Sequence, residues 1–202
     1  MSCVEIFKFT AAGTADSMCE VRNSWRFAMA VWHALEEKYL PPYRPFYVPD
    51  WVPVGSEEAF LHYKPHRVTT VRMSESEPDP MKEIWELYFD DRLSEEEKIV
   101  LGTTFDYVLV KAADLPKVIA AYKAFEGETN LLEQCKVLEM LQNDAECTAV
   151  GWNGTSVCAD NWGNYGGYDE ESDEMIPYNY LTMDKHWWLF DEHGRLVGQC
   201  GE

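Results

Sequence analysis

The stretch DSMCEVRNSWRFAMAVWHALEEKYLPP, Asp16 to Pro42, carries the strongest periodic signal in the chain. Its apolar residues fall at Met18, Val21, Trp25, Ala28, Trp32, Leu35 and Tyr39, in steps of three and four, and Phe27, Val31 and Ala34 widen the stripe. That spacing gathers them on one side of a helix, so it predicts a wide-faced, central helix over 18–39. Asp16 or Ser17 can accept from its first N–H groups. Pro41-Pro42 ends it, because proline lacks an N–H and its ring clashes with the preceding turn. Upstream, Cys3 to Phe9 sets Val4, Ile6 and Lys8 against Cys3, Glu5, Phe7 and Phe9, an alternation that predicts an N-terminal strand with one buried face.

Downstream, Pro41 to Gly55 interleaves five of the ten prolines with Tyr43, Phe46, Tyr47 and Trp51, which predicts an extended segment pinned by its aromatics. A short helix capped by Ser56 and a strand over Arg67 to Met73 come next. Asp79 is placed to cap a helix over Pro80 to Phe89 that turns Met81, Ile84, Leu87 and Tyr88 inward. Ser94 and Glu97 have the spacing of a capping box. Phe105 to Val110 reads as an interior strand. Asp114 then caps a helix with Leu115, Val118, Ile119, Tyr122 and Phe125 on one face, closed by Gly127. Asn130 opens another that buries Leu131, Cys135, Leu138 and Leu141.

The last quarter changes idiom. Cys147 to Trp152 and Ser156 to Ala159 read as a hairpin about Asn153-Gly154. Asp160 to Pro177 has no period of either kind and reads as a loop, while Tyr178 to Met183, Trp187 to Phe190 and Leu196 to Cys200 read as strands. Helices early and strands late predict an α+β fold: a single domain over 1–202, with a mainly antiparallel sheet, helices packed on one side and a β-rich C-terminal quarter.

Charge restricts function more than any motif does. Against 36 Asp and Glu stand 17 Lys and Arg, a formal charge of -19, which repels nucleic-acid phosphates and anionic lipid headgroups. The excess sits in three stretches: Ser74 to Glu97, Glu126 to Glu146, and Asp160 to Glu174. Neither a basic leader with an apolar core nor a run of apolar residues of membrane-spanning length is present, so the expected location is the cytoplasm. Six cysteines in a chain of 202 residues, none spaced as C-x-x-C, read as reduced thiols.

Catalytic signatures are missing. The sequence contains no glycine-rich nucleotide loop, no H-E-x-x-H and no G-x-S-x-G, and the acids of DEESDE (169–174) lack the ligand alternation of a calcium loop. Cys158 with His186 and Asp160 or Asp184 is the one nucleophilic arrangement that can be assembled, and nothing around it marks an activated thiol. No cofactor or metal is implied.

The expectation for function is therefore a non-enzymatic binding protein whose acidic stretches form a common docking face for a basic protein partner. It is the kind of role played by an immunity protein or another inhibitor, including mimicry of nucleic acid. The contact is expected at Trp162, Tyr165 and Tyr168 as anchors, with Asp169, Glu170, Glu171, Asp173 and Glu174 engaging Lys or Arg. Two other readings stand beside it. One is a small-molecule binder or enzyme with an aromatic-lined site near Trp152, Trp162, Tyr165, Trp187 or Trp188; the other is a structural subunit joined through Pro41 to Gly55.

Overall fold

The computed structural model describes residues 3–22, 26–40, 80–154 and 161–197. The expected features at Trp25, Pro41 to Gly55, Ser56, Arg67 to Met73, Asp79, Ser156 to Ala159 (including Cys158), Asp160 and the end of the 196–200 strand lie outside the described residues. Through Cα proximity the chain divides into two compact units, Met1–Val31 with Ser94–Glu202, and Trp32–Leu93.

The larger unit is built on a five-stranded sheet. Strands β1 (Cys3–Phe9), β2 (Ala15–Arg22), β3 (Val108–Lys111), β4 (Ala149–Gly154) and β7 (Trp187–Trp188) are ordered β2-β1-β4-β3-β7. All neighbours are antiparallel except β3 and β7. A separate two-stranded hairpin joins β5 (Gly167–Asp169) to β6 (Glu174–Ile176). Helices α3 (Glu95–Gly102), α4 (Leu115–Ala124) and α5 (Leu131–Gln142) complete this unit, and α1 (Ala28–Tyr39) begins in it. The fold is α+β, with a sheet that is antiparallel but for one edge.

β1 lies inside the sheet, paired along both edges, and layers on either side bury both of its faces rather than the expected one. Phe7 and Phe9 share a face with Leu109, Ala149 and Gly151; Val4 and Ile6 share the other with Val108, Val110, Val150 and Trp152. The second face meets the helices. There Trp152 Nε1 donates to Gln134 Oε1 of α5 at 3.3 Å, and Gln134 Nε2 donates to Asn130 Oδ1 at 2.9 Å. Asn130 thus stands at the start of α5 as expected, but its side chain orients Gln134 instead of capping the helix. Asp114 behaves alike: it precedes α4, makes no cap bond, and accepts from Lys117 Nζ at 2.9 Å. The Ser94 and Glu97 capping box on α3 is formed in full. Between α3 and α4, Tyr122 is buried and its hydroxyl donates to Thr103 Oγ1 at 2.8 Å.

The largest departure from expectation is at 15–22, which forms β2 and not the first half of a helix. Its register against β1 carries a bulge: Phe7 faces Ser17 and Ile6 faces Cys19, leaving Met18 as the extra residue. One inserted residue breaks a period of two, and the interval from Met18 to Val21 then looks helical. The helix proper is α1, twelve residues over 28–39. Gly13, at φ +82, closes the turn between β1 and β2 with its N–H on Thr10 O at 2.8 Å. β2 is an outer strand of the sheet, with Asp16, Ser17, Glu20 and Arg22 exposed.

Two more expectations are corrected in the last quarter. Asn153-Gly154 is not a turn: both residues continue β4, opposite Glu5 and Val4. Pairing with the distant β1 overrides the local turn preference. The expected loop at 160–177 contains the β5–β6 hairpin, and the 178–183 segment is a turn held by the Thr14 and Asn179 bridge, not a strand.

In the smaller unit, α2 (Pro80–Tyr88) buries Ile84, Leu87 and Tyr88 as its spacing predicts. Burial pushes the Tyr88 hydroxyl up to about 12. After it, Arg92 donates through Nε to Asp90 at 2.9 Å and through Nη1 to Tyr39 O at 3.0 Å. No described helix is long and apolar enough to cross a membrane.

Candidate functional site

The sheet face opposite the helices is covered by aromatic rings from the C-terminal quarter. Trp162 is at its centre, 0% exposed, between Phe7 (5.7 Å between ring centroids), Phe9 (5.4 Å) and a stacked Tyr178 (5.1 Å, 13° between planes). Its backbone is held as well, with its N–H on Asn153 Oδ1 at 3.0 Å and its carbonyl accepting from Tyr178 N. Gly151 makes room for it: a Cβ there overlaps Trp162 Cζ3 and comes within 2.6 Å of Leu109 Cδ2. Large rings bury apolar area efficiently, and this one organises the layer. Among the described residues, Trp162 Nε1 and Asn153 Nδ2 are buried donors with no acceptor.

Trp162 is therefore withdrawn from the set of contact anchors. Its place between two β1 phenylalanines and Tyr178 makes it the core of the aromatic layer. Tyr165 is half-buried and packs edge-on against Tyr178 at 5.1 Å, so it braces the start of the β5–β6 hairpin against that layer.

The hairpin itself begins one residue later. Gly166 N donates to Ile176 O at 2.8 Å, and Gly167 adopts φ +94 to enter β5. Tyr168 then faces Met175, and Asp169 faces Glu174. The alternation along each strand puts Tyr168 and Met175 on one side of the ribbon, and Asp169 and Glu174 on the other beside Gly167 and Ile176. Tyr168 is 53% exposed and Met175 50%, and Ile176 is also exposed. At the tip, Asp169 accepts from Glu171 N at 3.0 Å and from Ser172 Oγ at 2.9 Å; these bonds, the backbone one first, hold its carboxyl below the usual range. Asp173 adopts φ +61 and bonds Tyr168 through its side chain. Among the described residues, Glu170, Glu171 and Glu174 form no ion pair.

The other acidic stretch of this unit, Glu126 to Glu146, is partly paired with lysines of the unit. Lys8 Nζ reaches Asp144 at 2.6 Å and Glu146 at 3.6 Å, and Lys123 reaches Glu139 at 2.6 Å. It also belongs to the helical side of the sheet, whereas the hairpin extends from the aromatic side. The expected common docking face is thus divided: the acids of 126–146 and of 169–174 are on opposite sides of the sheet.

The residues named for a small-molecule site divide in the same way. Trp152 is buried against α5, and Trp162 is buried on the opposite face. Trp187 and Trp188 are half-buried at the sheet edge, where Trp188 packs edge-on with Tyr180 and His186, each at 5.7 Å. His186 Nδ1 shares a 2.8 Å hydrogen bond with Tyr178 Oη. Burial pushes Tyr178 up to about 12 and His186 below its ordinary value, so both are neutral at pH 7.

Sequence reasoning missed two residues here. Lys185 lies over the rings of Tyr107 (4.6 Å) and Tyr165 (4.9 Å), and Tyr107 adopts φ +65. Neither the seat nor the left-handed tyrosine has a signal in a single sequence, since each is made by distant segments meeting. Among protein-family models, curated proteins and solved structures, none matches this chain.

Proposed function

We propose that this chain is a binding protein that docks on a basic protein partner through the β5–β6 hairpin. The observation that carries the reading is the pairing of Asp169 with Glu174 directly across a two-stranded ribbon whose opposite side exposes Tyr168 and Met175. Like charges set opposite one another destabilise a strand pair, and an exposed Tyr and Met contribute little to folding. Both features suit a surface that is completed by a cationic partner: Tyr168 and Met175 supply apolar contact, and Asp169, Glu170, Glu171, Asp173 and Glu174 supply a field that steers Lys and Arg. Where that partner acts on nucleic acid, a ribbon of carboxylates occupying its cationic cleft inhibits it, as an immunity protein does.

The test compares the unmodified chain with Glu170→Lys/Glu171→Lys as baits in extracts of the source cells, with captured proteins quantified at low and high salt. Basic proteins should be lost on charge reversal and, for the unmodified bait, on raising salt. Identical capture by the two baits overturns the reading.

A further inference from the structure

We propose that Tyr107 and Tyr165 form a seat for a cationic side chain, filled in the free protein by Lys185 and taken over by a lysine or arginine of the partner. Lys185 Nζ lies 4.6 Å from the centroid of one ring and 4.9 Å from the other, inside the range in which a π face attracts a cation. The two rings come from segments nearly sixty residues apart, one at the entry to β3 and one just before β5, so the seat is a product of the tertiary fold.

Tyr107 is held where it is at a cost. Its φ of +65 is disfavoured for any residue with a Cβ, and a bulky aromatic is rare there. The surrounding backbone enforces it: Tyr107 N donates to Trp152 O at 3.1 Å, Tyr107 O accepts from Trp187 N at 3.0 Å, and the preceding carbonyl of Asp106 accepts from Trp187 Nε1 at 3.2 Å. Tyr107, Tyr165 and Lys185 are all half-buried, which leaves the seat open to exchange. It is also next to the hairpin, since Tyr165 precedes Gly167 by two residues. A cation–π contact at a partly exposed site is weak, so a second cation competes with Lys185 for the two ring faces.

The identity of that cation rests on the docking reading; the seat itself does not. Tetramethylammonium chloride, titrated against sodium chloride at equal ionic strength and followed by aromatic fluorescence, reads the seat directly. Lys185→Met should bind it about fivefold more tightly than the unmodified chain, and adding Tyr165→Leu should abolish the gain. Equal responses from the unmodified chain and Lys185→Met overturn the proposal. A second measurement needs no variant: in the unmodified chain the Lys185 ε-methylene proton resonance, displaced by the two ring currents, should return toward its free value as tetramethylammonium is added. A resonance that does not move is contrary to the proposal. Glu170→Lys/Glu171→Lys should leave both responses unchanged, so failure of the hairpin and failure of the seat are read separately.

Discussion

Two acidic stretches of one structural unit put the same side chains to opposite uses. In 126–146 three of the six carboxylates, Glu139, Asp144 and Glu146, are held by Lys123 and Lys8, so part of the charge is cancelled where it stands. In 169–174 they crowd the end of a short ribbon, where Asp169 and Glu174 face each other and no lysine or arginine among the described residues reaches them. The two stretches carry the same formal charge, -5, so net charge cannot distinguish an acidic stretch that is partly paired from one that projects a field. The distinguishing feature is the sheet face: the first stretch lies on the helical side, within reach of Lys8 of β1 and Lys123 of α4, and the second extends from a layer of aromatic rings.

Several substitutions can sharpen or break this contrast. The largest effect should come from Trp162→Ala, which removes the centre of the aromatic layer; a loss of about 3–5 kcal/mol in denaturant unfolding is expected. A loss under about 1 kcal/mol would mean that the layer does not hold the hairpin in place. Gly151→Ala should cost about 1–3 kcal/mol by forcing Trp162 and Leu109 apart, with the melting temperature falling accordingly.

His186 gives a smaller, pH-dependent effect on the same layer. Burial lowers its pKa below the ordinary 6.5, with Asp184 opposing, so as pH falls the unfolded chain takes up the proton first. Stability should therefore drop as pH falls from about 6.5 toward the lower folded value, and be indifferent to this group at higher pH. His186→Phe should remove that part of the slope in melting temperature against pH, and an unchanged slope assigns it to other groups. The smallest effect on stability is expected from Glu170→Lys/Glu171→Lys, within about 0.5 kcal/mol, because both side chains are exposed at the hairpin tip. A larger loss would show that the hairpin acids are structural, as the lysine-paired Asp144 and Glu139 are.

Elements whose information is local were legible from sequence. The capping box at Ser94 and Glu97, the buried faces of α2, α4 and α5, and the limits of β1 follow from spacing alone. Elements decided by distant pairing were not. β2 looked helical because Met18 is a bulge, and Asn153-Gly154 looked like a turn because its partners, Glu5 and Val4, are some 150 residues away in the chain. At the candidate site, the exposed acids and Tyr168 could be found from composition, while the burial of Trp162 could not. A tryptophan beside glycines and acids reads as exposed until Gly151, Phe7 and Phe9 are known to converge beneath it.

The two margins of the five-stranded sheet are guarded by different means. β2 shows charged groups of both signs to solvent, and β7 offers only two residues of backbone. Unsatisfied strand borders are templates on which other chains can polymerise; charge and brevity are what discourage it. A protein that exposes Tyr168, Met175 and Ile176 on a two-stranded ribbon needs such protection elsewhere, so that crowded copies do not stack into fibres through the sheet.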